Sequence, residues 1–501
     1  MADKPLFQRI LVANRGEIAL RVIRTAQEMG IETVAVYSDA DRNALHVRRA
    51  DRAVRIGPPA PRDSYLRIDA ILEAARAEGC DAVHPGYGFL SENARFSAAC
   101  EEAGLVFLGP APRAIAAMGD KVEARKLAAA AGVPLVPGLR QEARSDAELV
   151  EQAQKVGFPV MLKAAAGGGG KGIRIVHHEK DLLGAAQLAR AEAKSAFADE
   201  RIYLEKYLAR PRHVEVQVMA DRHGGVVAYG ERECSVQRRH QKLVEESPCP
   251  VLTAEMRAAM CRSACDLARA VGYLGAGTVE FLWSEGNYYF MEMNTRLQVE
   301  HPITEMRFGV DLVREQIRVA AGLPVAPVPE PRGHAIEIRV NAEDPDSFLP
   351  SLGRISRLHL PGGPGVRLDS ALYRGLEVTP HYDSMLAKLV VHAPDRAQAI
   401  ARAIRALRET RVLGVATVIP AALRALESEA FRSGDYDTGI LERITKAPPE
   451  PMREVAMLAA AVARFLNTGG PRVAPAGDDA AGALSPWVLA ERMERLGRRP
   501  R

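Results

Sequence analysis

The chain has 501 residues, 47% of them apolar and 26% charged, which is enough for two to four globular domains. A formal net charge of +4 over that length excludes the basic footprint of a nucleic-acid binder or a membrane-surface protein, and leaves only local Arg-rich patches for small anions. Six cysteines with no C-x-x-C pair, a polar start and no long apolar run read as a cytoplasmic chain with reduced thiols, no leader and no membrane span.

From residue 1 to about 118, strand and helix alternate. Strands are expected at 9–13, 32–37, 81–84 and 105–108, and helices at 17–29, 67–77 and 93–103. Each helix is closed by a glycine (Gly30, Gly79, Gly104). This is the pattern of a doubly wound parallel sheet. Its first turn, Asn14-Arg15-Gly16-Glu17, has a single glycine, which argues against a dinucleotide site.

A second region opens at Gly119-Asp120-Lys121 with a helix to residue 131. Strands at 158–163 and 172–176 flank Ala164-Ala165-Ala166-Gly167-Gly168-Gly169-Gly170-Lys171. A P-loop fails here twice. Its first glycine would fall on Ala165, and Lys171 is followed by Gly172 rather than Ser or Thr. Strand, loop and strand make a hairpin instead, which reads either as a flexible turn or as a movable flap over a nucleotide. Lys163, ending the first strand beside the glycines, favours the flap, because it is placed to meet phosphate. A helix at 181–195 and a strand at 202–205 follow. Strands around 213–219, 226–229, 276–282 and 288–293 suggest a mostly antiparallel sheet.

The run from Met291 to Glu300 alternates apolar and polar. On an extended strand Glu292, Asn294, Arg296, Gln298 and Glu300 would share one face. Two carboxylates, two amides and a guanidinium on one face build a polar site, and Glu292 with Asn294 suits Mg²⁺, which takes few protein ligands. Pro-rich residues 324–332 read as a connector. Beyond them, strands at 335–340, 353–359 and 387–392 with a helix at 395–409 form a smaller α+β unit. The tail after 446 holds an amphipathic stretch at 452–466, a Gly/Ala/Pro/Asp-rich segment and a short helix at 486–496, which would dock a partner or pack on its own chain.

Taken in order, these pieces resemble the ATP-grasp fold and, within it, biotin carboxylase. The marks are Ala13-Asn14-Arg15-Gly16-Glu17, His84 through Asn93, Met118-Gly119-Asp120-Lys121, the glycine loop, Glu205-Lys206-Tyr207-Leu208, Pro211-Arg212-His213-Val214-Glu215, Cys234 through Lys242, the 291–300 run and Arg339-Val340-Asn341-Ala342-Glu343-Asp344-Pro345. The resemblance spans residues 7 to 445. It implies an α/β N-terminal domain (1–118), an ATP-grasp domain (119–323, flap subdomain about 133–204), an α+β C-terminal domain (333–446) and a helical tail (447–501).

It also implies roles. Lys121, Lys163, Gly169 and Gly170 would contact ATP phosphates. Glu205, Lys206 and Leu208 would hold the adenine, with Leu282 beside them and Ile440 closing the pocket. His213, Gln237 and His240 would line the ribose and phosphate side. Glu280, Glu292 and Asn294 would hold Mg²⁺ or Mn²⁺. Lys242, Arg296, Gln298 and Val299 would bind bicarbonate, Glu300 would be its general base, and Arg339 would stabilise the biotin enolate. The implied partners are a biotin carboxyl carrier protein, carboxyltransferase subunits and a second copy in a homodimer. No Ala-Met-Lys-Met is present, so biotin would be borne on another chain. The flap departs from the family pattern at Ala165, Ala166 and Lys171. The rival readings are another ATP-grasp ligase with an acylphosphate intermediate, such as a carbamoyl-phosphate synthase module, and a non-catalytic nucleotide-binding scaffold. Lys242, Glu300 and Arg339 argue against the first, and the retention of the metal ligands and the base argues against the second.

Overall fold

The computed structural model describes residues 6–138, 145–164, 174–197, 200–239, 241–444, 457–459 and 462. Contacts divide the chain into one unit, Met1–Ile444, and a second, Thr445–Arg501. Of the second unit, the described residues 457–459 and 462 are helical, within the stretch expected at 452–466. The rest of the expected tail, the helix at 486–496 included, lies outside the described residues.

The first sheet is parallel: β1 (Arg9–Val12), β2 (Glu32–Ser38), β3 (Arg52–Gly57), β4 (Ala82–His84) and β5 (Val106–Phe107), in the order β3-β2-β1-β4-β5. Both faces are buried, as alternation along β1 requires. Ile10 and Val12 pack with Val22 and Ile23 of the helix Gly16–Glu28, while Leu11 packs with Ile71 and Phe96. β3 was not expected from sequence, because as an edge strand it carries Arg52 and Arg55 on exposed positions and lacks an apolar run. Chain order reverses between β1 and β4, where a doubly wound sheet would open a crevice. Here Asn14 fills it. Its Nδ2 donates to the carbonyls of Pro85 (2.7 Å) and Tyr87 (2.8 Å). A Cβ on Gly86 would lie 2.8 Å from that nitrogen. Asn14 thus ties the first turn to the loop after β4.

A small antiparallel sheet follows: β6 (Val160–Ala164), β7 (Arg174–Val176) and β8 (Ile202–Lys206), in the order β7-β6-β8. Helices Asp146–Val156 and Leu182–Phe197 share its core through Leu149, Leu162, Leu182 and Leu204. The expected hairpin is present, and its glycine loop lies outside the described residues. The helix Asp146–Val156 was not anticipated. Its signal is Ser145, whose hydroxyl caps the Glu148 N–H at 3.1 Å.

The central feature is an eight-stranded antiparallel sheet. Its strands are β9 (Arg212–Ala220), β10 (Val226–Arg238), β11 (Gln241–Ser247), β12 (Gly275–Ser284), β13 (Asn287–Asn294) and β14 (His334–Asn341), completed by two strands from the C-terminal region. That region holds β15 (Gly353–Arg354), β16 (Arg357–His359), β17 (Val366–Ser370), β18 (Glu377–Val378), β19 (Met385–Ala393) and β20 (Arg411–Leu413). The order is β13-β12-β9-β10-β11-β14-β19-β17, while β15–β18 and β16–β20 form separate two-stranded ladders. The strand expected over 353–359 is therefore two strands with different partners. The sequence suggested two separate sheets. They are one, joined where β11 pairs with β14 (Val244↔Ile338, Glu245↔Glu337, Glu246↔Ile336).

Candidate active site

Register builds the site. Glu292 of β13 lies opposite Glu280 of β12, Glu280 lies opposite Glu215 of β9, and Glu215 lies opposite Arg232 of β10. A β-bulge follows Glu280, where the β12–β13 register shifts before Phe281, and such bulges re-aim side chains beside active sites. Like charges directly opposite repel. Burial and the Glu280 charge together push the Glu292 carboxyl above its ordinary range. Glu292 makes no hydrogen bond or ion pair among the described residues.

Lys242 of β11 is the cation that makes this acidic row tenable. Its Nζ lies 2.7 Å from Glu215 Oε2, 3.3 Å from Glu280 Oε1 and 2.5 Å from Glu300 Oε1. Burial works to discharge it, but these carboxylates and Cys234 hold its pKa well above the ordinary lysine value. The hydrogen bonds to Glu280 fall on one oxygen. Oε1 also accepts from Asn294 Nδ2 and Gln298 Nε2, both at 2.8 Å, and His213 Nε2 stands 2.8 Å from Oε2 without hydrogen-bond alignment. Burial raises the Glu280 carboxyl, yet Lys242 and His213 outweigh it and hold the group far below the usual carboxylate range.

The polar run is only partly a strand. β13 ends at Asn294, and residues 295–300 turn into the helix His301–Phe308, whose entry carries Pro302. The expected extended face therefore stops at Asn294, yet the polar side chains still converge. Arg296 donates to Asn294 Oδ1 (2.8 Å), to Gln298 Oε1 (2.5 Å) and to Glu92 Oε2 (2.8 Å). Glu92 Oε1 also accepts the Thr295 N–H at 3.0 Å. Arg296 makes no ion pair with Glu300. Glu300, fully buried, is gripped by Lys242 and by Arg339, whose terminal nitrogen donates to Oε2 at 3.0 Å. Burial pushes the Glu300 carboxyl up, but Lys242, Arg339 and Arg232 outweigh it and hold it well below its ordinary range. Arg339 Nε donates to Glu245 Oε1 at 2.6 Å. Burial lifts Glu245 to about 7 despite that guanidinium. The Val299 carbonyl accepts from Lys388 Nζ at 2.9 Å.

On the nucleotide side, Glu205 of β8 is buried and its two oxygens accept from Lys163 and Arg125. Lys206 turns its ammonium to the carbonyls of Gly157 (2.8 Å) and Phe158 (3.2 Å). Its backbone N–H, and that of Tyr207, are taken by Pro137 and Pro159, and Leu208 follows directly. His213 lies opposite Leu282 in the β9–β12 ladder, and its Nδ1 meets Gln237 Nε2 at 3.4 Å. Ile440 is buried in the core that also holds Val236 and Tyr436. Lys121 opens the helix Lys121–Ala130 just after its Asp120 cap, close enough to Glu292 to lower that carboxyl's pKa. Gly169, Gly170 and His240 lie outside the described residues. The donor set fits a divalent ion: Glu280 and Glu292 face each other as hard oxygen ligands, and their repulsion is what a cation between them would relieve.

Three family models match the chain in order: "Biotin carboxylase, N-terminal domain" over residues 6–115, "Carbamoyl-phosphate synthase L chain, ATP binding domain" over 120–327 and "Biotin carboxylase C-terminal domain" over 337–443. A biotin carboxylase of Bacillus subtilis is 51% identical over 443 residues, covering 87% of this chain and 98% of that protein. The chain belongs to the biotin carboxylase family. A biotin carboxylase of Haemophilus influenzae is likewise 51% identical over 445 residues, 87% of this chain and 99% of that one. Among solved structures, the Campylobacter jejuni biotin carboxylase, as a β,γ-ATP complex, superposes with a TM-score of 0.82 at 46% identity, covering 87% and 99% of the two chains. The biotin carboxylase domain dimer of the Hydrogenobacter thermophilus 2-oxoglutarate carboxylase, in complex with MgADP, ADP and bicarbonate, gives 0.80 at 46%, covering 87% and 97%. The fold expected from sequence, with its N-terminal parallel sheet, is the fold of this family.

Several members of the cluster received no role from the sequence. Glu215, Arg232, Glu92 and Glu245 lie within or beside the motifs, but strand register brings Glu215, Arg232 and Glu245 to the site, and Glu92 reaches it from the turn before the helix Ala94–Glu102. Arg125 had a weaker signal: it follows Lys121 by four residues on one helix face.

Proposed function

We propose that the chain carboxylates biotin borne on a separate carrier protein, using ATP and bicarbonate, as the biotin carboxylase component of an acetyl-CoA, acyl-CoA or pyruvate carboxylase. The observation that carries this reading is Glu300: a fully buried carboxylate held at once by Lys242 (2.5 Å) and Arg339 (3.0 Å). A base so placed is ionised and fixed between two cations that suit two anionic substrates.

Bicarbonate and the γ-phosphate repel each other, so cations must screen the approach. Lys242, Arg296, the Gln298 amide and the Val299 backbone would bind bicarbonate, with Arg296 aimed by Glu92 and Asn294. Lys121, Lys163 and the flap glycines Gly169 and Gly170 would hold the phosphates. Leu208 would read the adenine, with His213, Gln237 and His240 beside the ribose. Glu280 and Glu292, with Asn294, would hold Mg²⁺ or Mn²⁺, which supplies further charge neutralisation at the phosphates when bound.

A bicarbonate oxygen attacks the γ-phosphorus, ADP leaves, and Glu300 takes the bicarbonate proton as the new bond forms. The resulting carboxyphosphate breaks to CO₂ and phosphate inside a pocket closed to water. That phosphate takes the proton from the biotin ureido nitrogen, which then bonds to CO₂. Arg339 would stabilise the negative charge that develops on the ureido oxygen.

A carbamoyl-phosphate synthase activity is not favoured, because family models specific to biotin carboxylase flank the ATP-binding region on both sides. The carrier protein, the carboxyltransferase subunits and a second copy of this chain are the partners this reading names. We infer a cytoplasmic place of work from the reduced-thiol reading of the six cysteines; separately, no described helix is long and apolar enough to cross a membrane. The test is Arg339→Gln. It should abolish biotin-dependent carboxylation while ATP binding persists. Retention of full biotin-dependent turnover would remove Arg339 from its role.

A further inference from the structure

Glu205 is 2% exposed and carries two cations at once. Lys163 binds one oxygen from the end of β6, and Arg125 binds the other from the helix Lys121–Ala130. The two cations differ in freedom. Lys163 is a flexible point charge beside the glycine loop. Arg125 presents a planar fork from a helix, with its guanidinium 5.9 Å from the Tyr203 ring centroid. Lys121 and Arg125, four residues apart, place two cations along one helix face, toward Glu292 and toward Glu205 respectively.

A buried carboxylate stripped of its only cation is strongly destabilised. Were Lys163 the sole partner of Glu205, each move of its ammonium toward a phosphate would strand that charge. The second cation removes the conflict. We infer that Arg125 is a positioning residue of the nucleotide site: it keeps the Glu205 carboxylate neutralised so that Lys163 is free to transfer from Glu205 to the polyphosphate when nucleotide binds. The inference rests on the reading that Lys163 meets the phosphates. It assigns Arg125 a role beyond an ordinary salt bridge between the helix and β8.

The test compares ATP and adenosine binding to the full chain by competition calorimetry, because adenosine has no phosphate to recruit Lys163. Arg125→Gln should weaken ATP about ten-fold or more and adenosine less than about two-fold. In a Glu205→Gln background the added Arg125→Gln change should cost ATP less than about two-fold, since a neutral amide needs no counter-charge. Arg125→Lys, which keeps the charge, should retain most of the preference for ATP and serves if Arg125→Gln folds poorly. Equal losses for ATP and adenosine, no loss for ATP, or a full loss persisting in the Glu205→Gln background would overturn the inference. Lys163→Met separates it from the underlying reading. If that variant keeps the normal ATP-over-adenosine preference, the phosphate role of Lys163 fails. If it erases the preference and Arg125→Gln does not, only the role of Arg125 fails.

Discussion

Glu300, the proposed base, shows how environment sets the charge of a buried carboxyl. Burial alone would protonate it, but Lys242, Arg339 and Arg232 hold it ionised. Its proton affinity is low, so in the proposed reaction it would accept a proton only while bicarbonate is turning into its mixed anhydride with phosphate. Glu300→Gln should therefore cut carboxybiotin formation by about 10²- to 10⁴-fold with ATP affinity nearly unchanged. Glu292→Gln should raise the Mg²⁺ concentration needed for half-maximal rate by about ten-fold or more, read from a metal titration of ATP cleavage. Both residues were legible in the sequence because alternation over 291–300 singled them out. The partner of Arg296 was not: Glu92 lies 204 residues away, and no local pattern records a contact made by folding. The extended face was misread past Asn294 because a turn can mimic strand alternation when it delivers each polar side chain to the same cluster.

The pairing of β11 with β14 is the joint that places Arg339 beside Glu300, and Glu246 secures it. Glu246 accepts from His334 (2.6 Å), Arg396 (2.8 and 2.9 Å) and Tyr436 (2.5 Å) while fully buried. Burial would raise its carboxyl, but His334 and Arg396 bring it down to about 2. A carboxyl depressed by folding adds stability above its unfolded pKa and loses it as pH falls through the folded one. The native chain should thus lose stability progressively from about pH 5 toward pH 2, given an unfolded value of about 4.3. Glu246→Gln should cost about 2 kcal/mol or more at pH 7 in denaturant unfolding, and the gap to the native chain should close toward the bottom of that window. None of this joint was visible in the sequence. Of its two strands, β14 was expected over 335–340 but β11 was not, and their pairing depends on register that no local pattern records. The helix Gly16–Glu28 and the strands β1, β2 and β4 were legible because local apolar periodicity and glycine stops suffice for them.

Lys388 ties the helix Gly16–Glu28 to the turn at residues 295–300. Its fully buried ammonium lies 3.3 Å from Glu17, 3.9 Å from Asp369 and 2.9 Å from the Val299 carbonyl. Burial lifts Glu17 to about 7, with Lys388 the main force drawing it down. A carboxyl raised by folding is a source of stability below its unfolded pKa that is lost as pH rises through the folded one, so Glu17 should cost stability between about pH 4.5 and pH 7. Lys388→Met removes the compensating cation. It should destabilise the chain by about 3–5 kcal/mol at neutral pH, seen as a lowered Tm, and less in mildly acidic buffer where Glu17 is protonated. In the proposed reaction the whole arrangement amounts to one device: separate folding regions deliver Glu92, Lys242, Glu300 and Arg339 to a single cluster that would bring two anions together. The most direct test is ATP- and Mg²⁺-dependent incorporation of labelled bicarbonate into free biotin by the purified chain. Label in carboxybiotin, with ATP cleavage stimulated by biotin, is the predicted result. Bicarbonate-dependent ATP cleavage that biotin leaves unchanged, with no label on biotin, would contradict it.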